Sequence, residues 1–216
     1  MQLRDFHKYN AAILIVFLFI HLATHVSGIF GIATYNAVQN FFRTVYRNPA
    51  VEPVLIASIS LQLLVGAALL LRSLRRGPPD SRRAKLQVVS GGFFFVFMAQ
   101  HLFSLGMARL YFHLDTNFYW PASVLSGPPF IYYFIPYYFF GVWSVLAHVG
   151  IGVRYWIEES GHERAARRVE KAFILGGALV SAFILPVIAG VWFDIDLPQE
   201  WIDYLRFYVP DFVPWG

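Results

Sequence analysis

The sequence predicts an all-α integral membrane protein: a bundle of five transmembrane helices plus a short interfacial helix, with the amino terminus cytoplasmic. Three observations carry this. Of 216 residues, 57% are hydrophobic and only 14% are charged, against about 45–50% and about 25% in a soluble domain. Five apolar runs are each long enough to cross a hydrocarbon core, which takes about 20 residues. Most Lys and Arg gather in two of the connecting loops, as the positive-inside rule expects of a cytoplasmic face.

Met1 to Lys8 is short and polar. It is not read as a cleavable signal peptide, because the apolar run behind it is too long. Ala11 to Thr34 is the first span. Tyr35 to Asn48 mixes Phe41, Phe42, Val45 and Tyr46 with Arg43 and Arg47, the pattern of an interfacial amphipathic helix, and Pro49 ends it. Val51 to Leu71 is the second span. A basic loop follows, with Arg72, Arg75, Arg76, Arg82, Arg83 and Lys85 around the turn Gly77-Pro78-Pro79-Asp80. Leu86 to Phe112 is the third span, and His113 to Pro129 is a polar connection without Lys or Arg. Phe130 to Ile157 is the fourth span. A second charged loop precedes the fifth, Ala172 to Phe193. Residues 1–193 thus form one membrane domain, and residues 194–216 an extracytoplasmic tail rich in aromatic and acidic side chains. A multi-pass protein of a bacterial-type inner membrane is expected.

Composition also excludes chemistry. The net charge is +4 and cysteine is absent. Basic loops of this kind serve topology and anionic lipid, not nucleic acid. Without thiolates the chain builds no disulfide or iron–sulfur cluster, and histidine is its one strong ligand for a transition metal.

Ionisable groups inside apolar spans are functional-site candidates. His21 and His25 stand one helical turn apart in the first span, His101 lies in the third and His148 in the fourth. At about 1.5 Å per residue, His21 lies roughly 20 Å, His25 roughly 26 Å and His101 roughly 24 Å from the cytoplasmic end. Either first-span histidine could oppose His101 across a flat cofactor. Gln62 and His148 form a second layer nearer the cytoplasm, roughly 15 Å and 9 Å deep. An amide is a poor iron ligand, so one haem b is expected rather than two. Its axial positions take one imidazole from each face. Arg43, Arg47 and Arg109 are candidates for its carboxylates at the outer side, and Arg72 or Arg154 for any group at the inner side. His7, His113 and His162 are read as solvated. Quinone is the expected redox partner in the membrane. Glu52, Ser27 and Tyr111 are candidates for its protons, with Ser60, Gln100 and Ser104 also considered.

Leu146-Ala147-His148-Val149-Gly150-Ile151-Gly152-Val153-Arg154, Phe19-Ile20-His21 and His101 resemble the ligand helices of the membrane-anchor cytochrome b of succinate dehydrogenases and fumarate reductases, in its five-helix, two-haem type. The likeness covers roughly residues 10 to 193. It implies that His21, not His25, is axial with His101, and that His148 serves a haem nearest the catalytic subunits. It also implies flavoprotein and iron–sulfur partner subunits, with electrons passing between them and membrane quinone. Where that family places its other inner ligand, on the second helix, this chain has Gln62. The first-helix His-x-x-x-His and Tyr46-Arg47-Asn48-Pro49 are also similar to membrane domains fused to some bacterial adenylate cyclases, though no cyclase domain is present. The competing expectation is a non-redox structural or regulatory membrane subunit, with the histidines as bundle contacts. A transporter has little support, since the chain has no buried acid pair and no paired broken helices.

Overall fold

The structure, a computed structural model, describes residues 2–215, and all its regular elements are helical. Five helices are long and apolar enough to cross a membrane. They are α1 (Leu3–Ser27), α3 (Val51–Arg75), α4 (Arg82–Gly106), α6 (Phe130–Glu159) and α7 (Glu163–Ile188). Between them lie α2 (Ile32–Tyr46) and the short α5 (Tyr119–Ser123), and α8 (Gln199–Tyr208) closes the chain. Met1 and Gly216 lie outside the described residues.

The helices begin earlier than the apolar runs. Gln2 caps α1 through a reciprocal box with Asp5, so the helix starts two turns before Ala11 and carries His7 and Lys8 inside it. Much of the charged loop before the fifth span is likewise helical, because Arg154 pairs with Glu158 and with Glu170. Arg83 joins the same cluster through Glu158 at 2.8 Å. Lys8 reaches Glu159 at 3.0 Å and sits over the Trp156 ring. These contacts tie α1, α4, α6 and α7 together at what is here the near end of the bundle.

Small residues set the packing. The α6–α7 pair is the tightest. A methyl group at Gly150 would stand 2.3 Å from Phe173 Cβ, and one at Gly177 would stand 3.0 Å from Leu146 Cβ. On the other side of α6, Gly141 lies against the ring of Phe97 in α4. Helices in lipid have no hydrophobic drive toward each other, so close contact of this kind holds them. By contrast α3 has no buried residue. It stands off from the bundle as one wall of a long cavity.

The far end is more ordered than a polar connection. Gly31, at φ +101, supplies the left-handed turn that folds α2 across the bundle. Residues after α4, first in a π-helical turn Met107–Tyr111, then drop back into the bundle. Phe118, Ala122, Ser123 and Leu125 are buried there. The tail lies over this plug. Trp201, Tyr204, Leu205 and Phe212 are buried against it, and Trp215 N–H donates to the Ser126 carbonyl at 2.6 Å. The aromatic residues of the tail divide accordingly: Phe207, Tyr208 and Trp215 remain exposed.

Candidate functional site

One cavity of about 1030 Å³ runs between α1, α3, α4 and α6, at the top of the roughly 300–1,000 Å³ range of ligand sites. His7, His21, His25, His101 and His148 all line it. Helical spacing explains why. Fourteen residues make nearly four turns, so His7 and His21 share one face of α1. On α4 the residues Gln87, Gly91, Phe94, Met98 and His101 recur every three or four positions, and all of them line the cavity.

The histidines form two opposed pairs. The His21 and His101 ring centres are 6.1 Å apart with planes at 77°. The His7 and His148 centres are 6.3 Å apart at 86°. Two imidazoles on opposite sides of one metal ion, each bonded at roughly 2.0 Å and with a ring radius of roughly 1.1–1.2 Å, place their centres about 6.3 Å apart. His21 and His25, at 4.8 Å, are too close for this. About 21 Å of helix separates His7 from His21.

The second layer therefore differs from its expected composition. His7 is not a solvated histidine. It lies within the cavity wall, opposite His148. Gln62 does not face His148 as a ligand. Its Nε2 approaches His7 Nε2 at 3.3 Å and donates to the His7 carbonyl at 3.2 Å, while its Oε1 accepts from Asn10 Nδ2 at 2.8 Å. The physical reason is the early start of α1, which carries His7 to the height of the inner layer. The sequence held a signal for it, the fourteen-residue spacing from His21.

Glycines border the inner pair and aromatic rings the outer one. A Cβ at Gly91 would lie 2.7 Å from His148 Cε1, and one at Gly66 would lie 3.4 Å from His7 Cε1. Only glycine leaves His148 its present place. The His148 Nδ1 lies 3.2 Å from the Gln87 carbonyl, a contact that orients the ring. His7 Nδ1 is buried without a partner. In the outer pair, His101 lies against Phe97 and Trp120, with ring centres at 5.9 and 5.1 Å. His25 Nδ1 is 3.4 Å from the hydroxyl of buried Tyr35. Among the described residues no cluster of three or more His, Cys, Asp or Glu forms a metal shell. Each pair could supply two imidazoles to a metal ion whose other ligands came from a bound group.

The far mouth is polar and positive. Arg43, Arg47, Arg109 and Glu52 all line it. Arg109 grips Glu52 through both guanidinium nitrogens. Arg43 and Arg47 meet Asp115 at 3.0 and 3.1 Å. They also donate to Thr116, at its carbonyl (2.8 Å) and hydroxyl (2.7 Å). Three cations face two carboxylates, leaving one positive charge over. Arg43 Nε and Gln39 Oε1 are buried without partners. The mouth thus has capacity for an anionic group. Burial alone would raise the Asp115 pKa, but hydrogen bonds and charge from Arg43 and Arg47 outweigh it and hold the carboxyl below its ordinary value.

Other candidate residues lie elsewhere. Ser27 and Tyr111 do not line the cavity: Ser27 Oγ donates to the Thr24 carbonyl at 2.7 Å, and Tyr111 is exposed beside Phe112 and Phe207. Gln100 accepts from Tyr133 at 2.5 Å, and Ser104 stands 3.4 Å from the Tyr204 hydroxyl. Arg154 is taken by its two glutamates, and Arg72 lines a separate recess beside the near end.

No protein-family model, no curated protein and no solved structure matches the chain.

Proposed function

We propose that this chain is a haem-b-binding membrane subunit that passes electrons between partner redox subunits and membrane quinone, after the manner of succinate:quinone oxidoreductase anchors. The observation that carries the reading is the doubling of the imidazole pair, at 6.1 and 6.3 Å, inside one apolar cavity. The gap alone is also that of ordinary edge-to-face packing, as between Phe19 and Phe173 at 6.3 Å; what supports the reading is that two histidine pairs share it along one cavity. Haem b, when bound, supplies one-electron chemistry in an apolar slot.

The chain's own residues then divide the work. His21 with His101, and His7 with His148, would hold haem at an outer and an inner site. Gln62 and the Gln87 carbonyl orient the inner pair, while Phe97 and Trp120 wedge His101. Arg43, Arg47 and Arg109 offset negative charge at the far mouth, and Glu52 stands beside them as a proton-exchanging group where quinone would arrive. The near end, rich in Arg and Lys, faces the cytoplasm and the flavoprotein and iron–sulfur partners. The alternative, a structural or regulatory subunit without redox chemistry, draws on Gln62 in the inner layer and on the aromatic tail. His7 supports the redox reading instead.

The test is reduction by a quinol. Purified protein mixed anaerobically with a short-chain quinol should develop the sharp alpha band of reduced bis-imidazole haem. The Glu52→Gln variant should keep its haem and slow the reaction at least severalfold. Haem that dithionite reduces and quinol does not would end the quinone part of the proposal.

A further inference from the structure

A second recess, of about 420 Å³, opens at the near end between the first turn of α1 and the last turns of α3. Arg4, Arg72 and Arg76 line it with Gln2 and Ser73, over Leu3 and Leu69. We infer that this recess binds a phosphate-bearing anion, and that its source is the headgroup of an anionic phospholipid.

The first argument is charge. Seven of the 17 Lys and Arg, namely Lys8, Arg43, Arg47, Arg83, Arg109, Arg154 and Arg167, each meet a carboxylate. Among the described residues Arg4, Arg72 and Arg76 meet none, although they converge on one space. The one acid in the first turn of α1, Asp5, accepts from the Gln2 backbone N–H at 3.1 Å. Guanidinium groups match phosphate oxygens in pairs.

The second argument is position. The recess sits where two membrane-length helices meet their basic loop. Basic pockets between helices at that level bind anionic headgroups. Leu3 and Leu69 make the floor apolar. The recess shares Gln2, Arg4, Leu69 and Ser73 with the long cavity, so it borders the inner histidine pair. The inference stands whether or not that cavity carries haem.

The experiment uses the full chain purified in neutral detergent, with whatever cofactor it carries, and reads bound lipid by native mass spectrometry. Dioctanoyl phosphatidylglycerol should give a one-to-one adduct and dioctanoyl phosphatidylcholine should not. The double variant Arg72→Gln/Arg76→Gln should weaken the adduct about tenfold or more. The control Arg164→Gln/Arg168→Gln, exposed on the same end, should leave it unchanged. Persistence of the adduct in excess sodium phosphate supports the lipid source, whereas displacement by a phosphate adduct would replace it with free phosphate. No adduct with either probe, or equal loss in both double variants, overturns the site.

Discussion

His7 and Gln62 exchange the roles that their surroundings in the sequence suggest. Gln62, deep in an apolar run, is spent on hydrogen bonds to Asn10 and to His7, and His7, in a polar leader, faces His148 across the cavity. The account therefore makes a residue-level prediction: His7→Ala removes the inner haem and leaves the outer one, halving the haem content. Gln62→Ala keeps both haems and broadens or shifts the inner spectrum. His25→Ala keeps both, because His25 Nδ1 meets the Tyr35 hydroxyl at 3.4 Å and the His21 ring is the one paired with His101. Haem-to-protein ratios of the three variants check this, and a His7→Ala protein with undiminished haem would refute the inner pair. Gly91 gives a second test. A methyl there would press on His148 from 2.7 Å, so Gly91→Ala should lower inner-site occupancy while the outer site stays filled.

At the scale of elements, the bundle was legible where apolar length and loop charge decide the outcome. Each of the five runs contains most of a helix of membrane length. Helix starts were less legible, because a capping box and ion pairs, not hydropathy, extend α1 and α7. Depth counted along parallel helices brought both His21 and His25 level with His101, and only the resemblance singled out His21, whose ring centre lies 6.1 Å from that of His101. The content of the segment 113–129 was not legible, since its polar appearance hides Phe118 and Leu125 packed at the bundle's end. The same plug explains α2, whose Tyr35, Gln39 and Arg43 recur every four residues and turn inward. Its exposed face carries Phe41 and Val45. Asp115 fastens this clamp. Its folded pKa is lowered, so its contribution is present above the unfolded value of about 3.9 and is lost as pH falls through the lower folded value. Because the Asp115 side chain is 54% exposed, screening holds the effect to about 1 kcal/mol or less. Limited proteolysis of residues 113–129 should thus rise below about pH 4, and Asp115→Asn should show that susceptibility already at neutral pH. At the other cover of the plug, Trp201 is fully buried. Trp201→Ala should cost about 3–5 kcal/mol, seen as a lower unfolding midpoint. An unchanged midpoint would mean that the tail only rests on the bundle.

Across the whole molecule, tight and loose packing are segregated. The close α6–α7 pair, with α4 against α6, makes a rigid half, and α3 closes the other side through a few polar ties such as Arg109–Glu52 and Gln62–His7. Between the halves lies a cavity long enough to hold both histidine pairs, closed at one end by Arg43, Arg47 and the plug, and bordered at the other by Lys8 and Glu159. The measurement that bears most directly on this is the haem-to-polypeptide ratio of the purified wild-type chain, read as pyridine haemochrome against amino-acid analysis. The account predicts two haems b per chain, one lost with His101→Ala and the other with His148→Ala. A wild-type chain that folds, stays monodisperse and carries no haem after expression with excess haem precursor would contradict it.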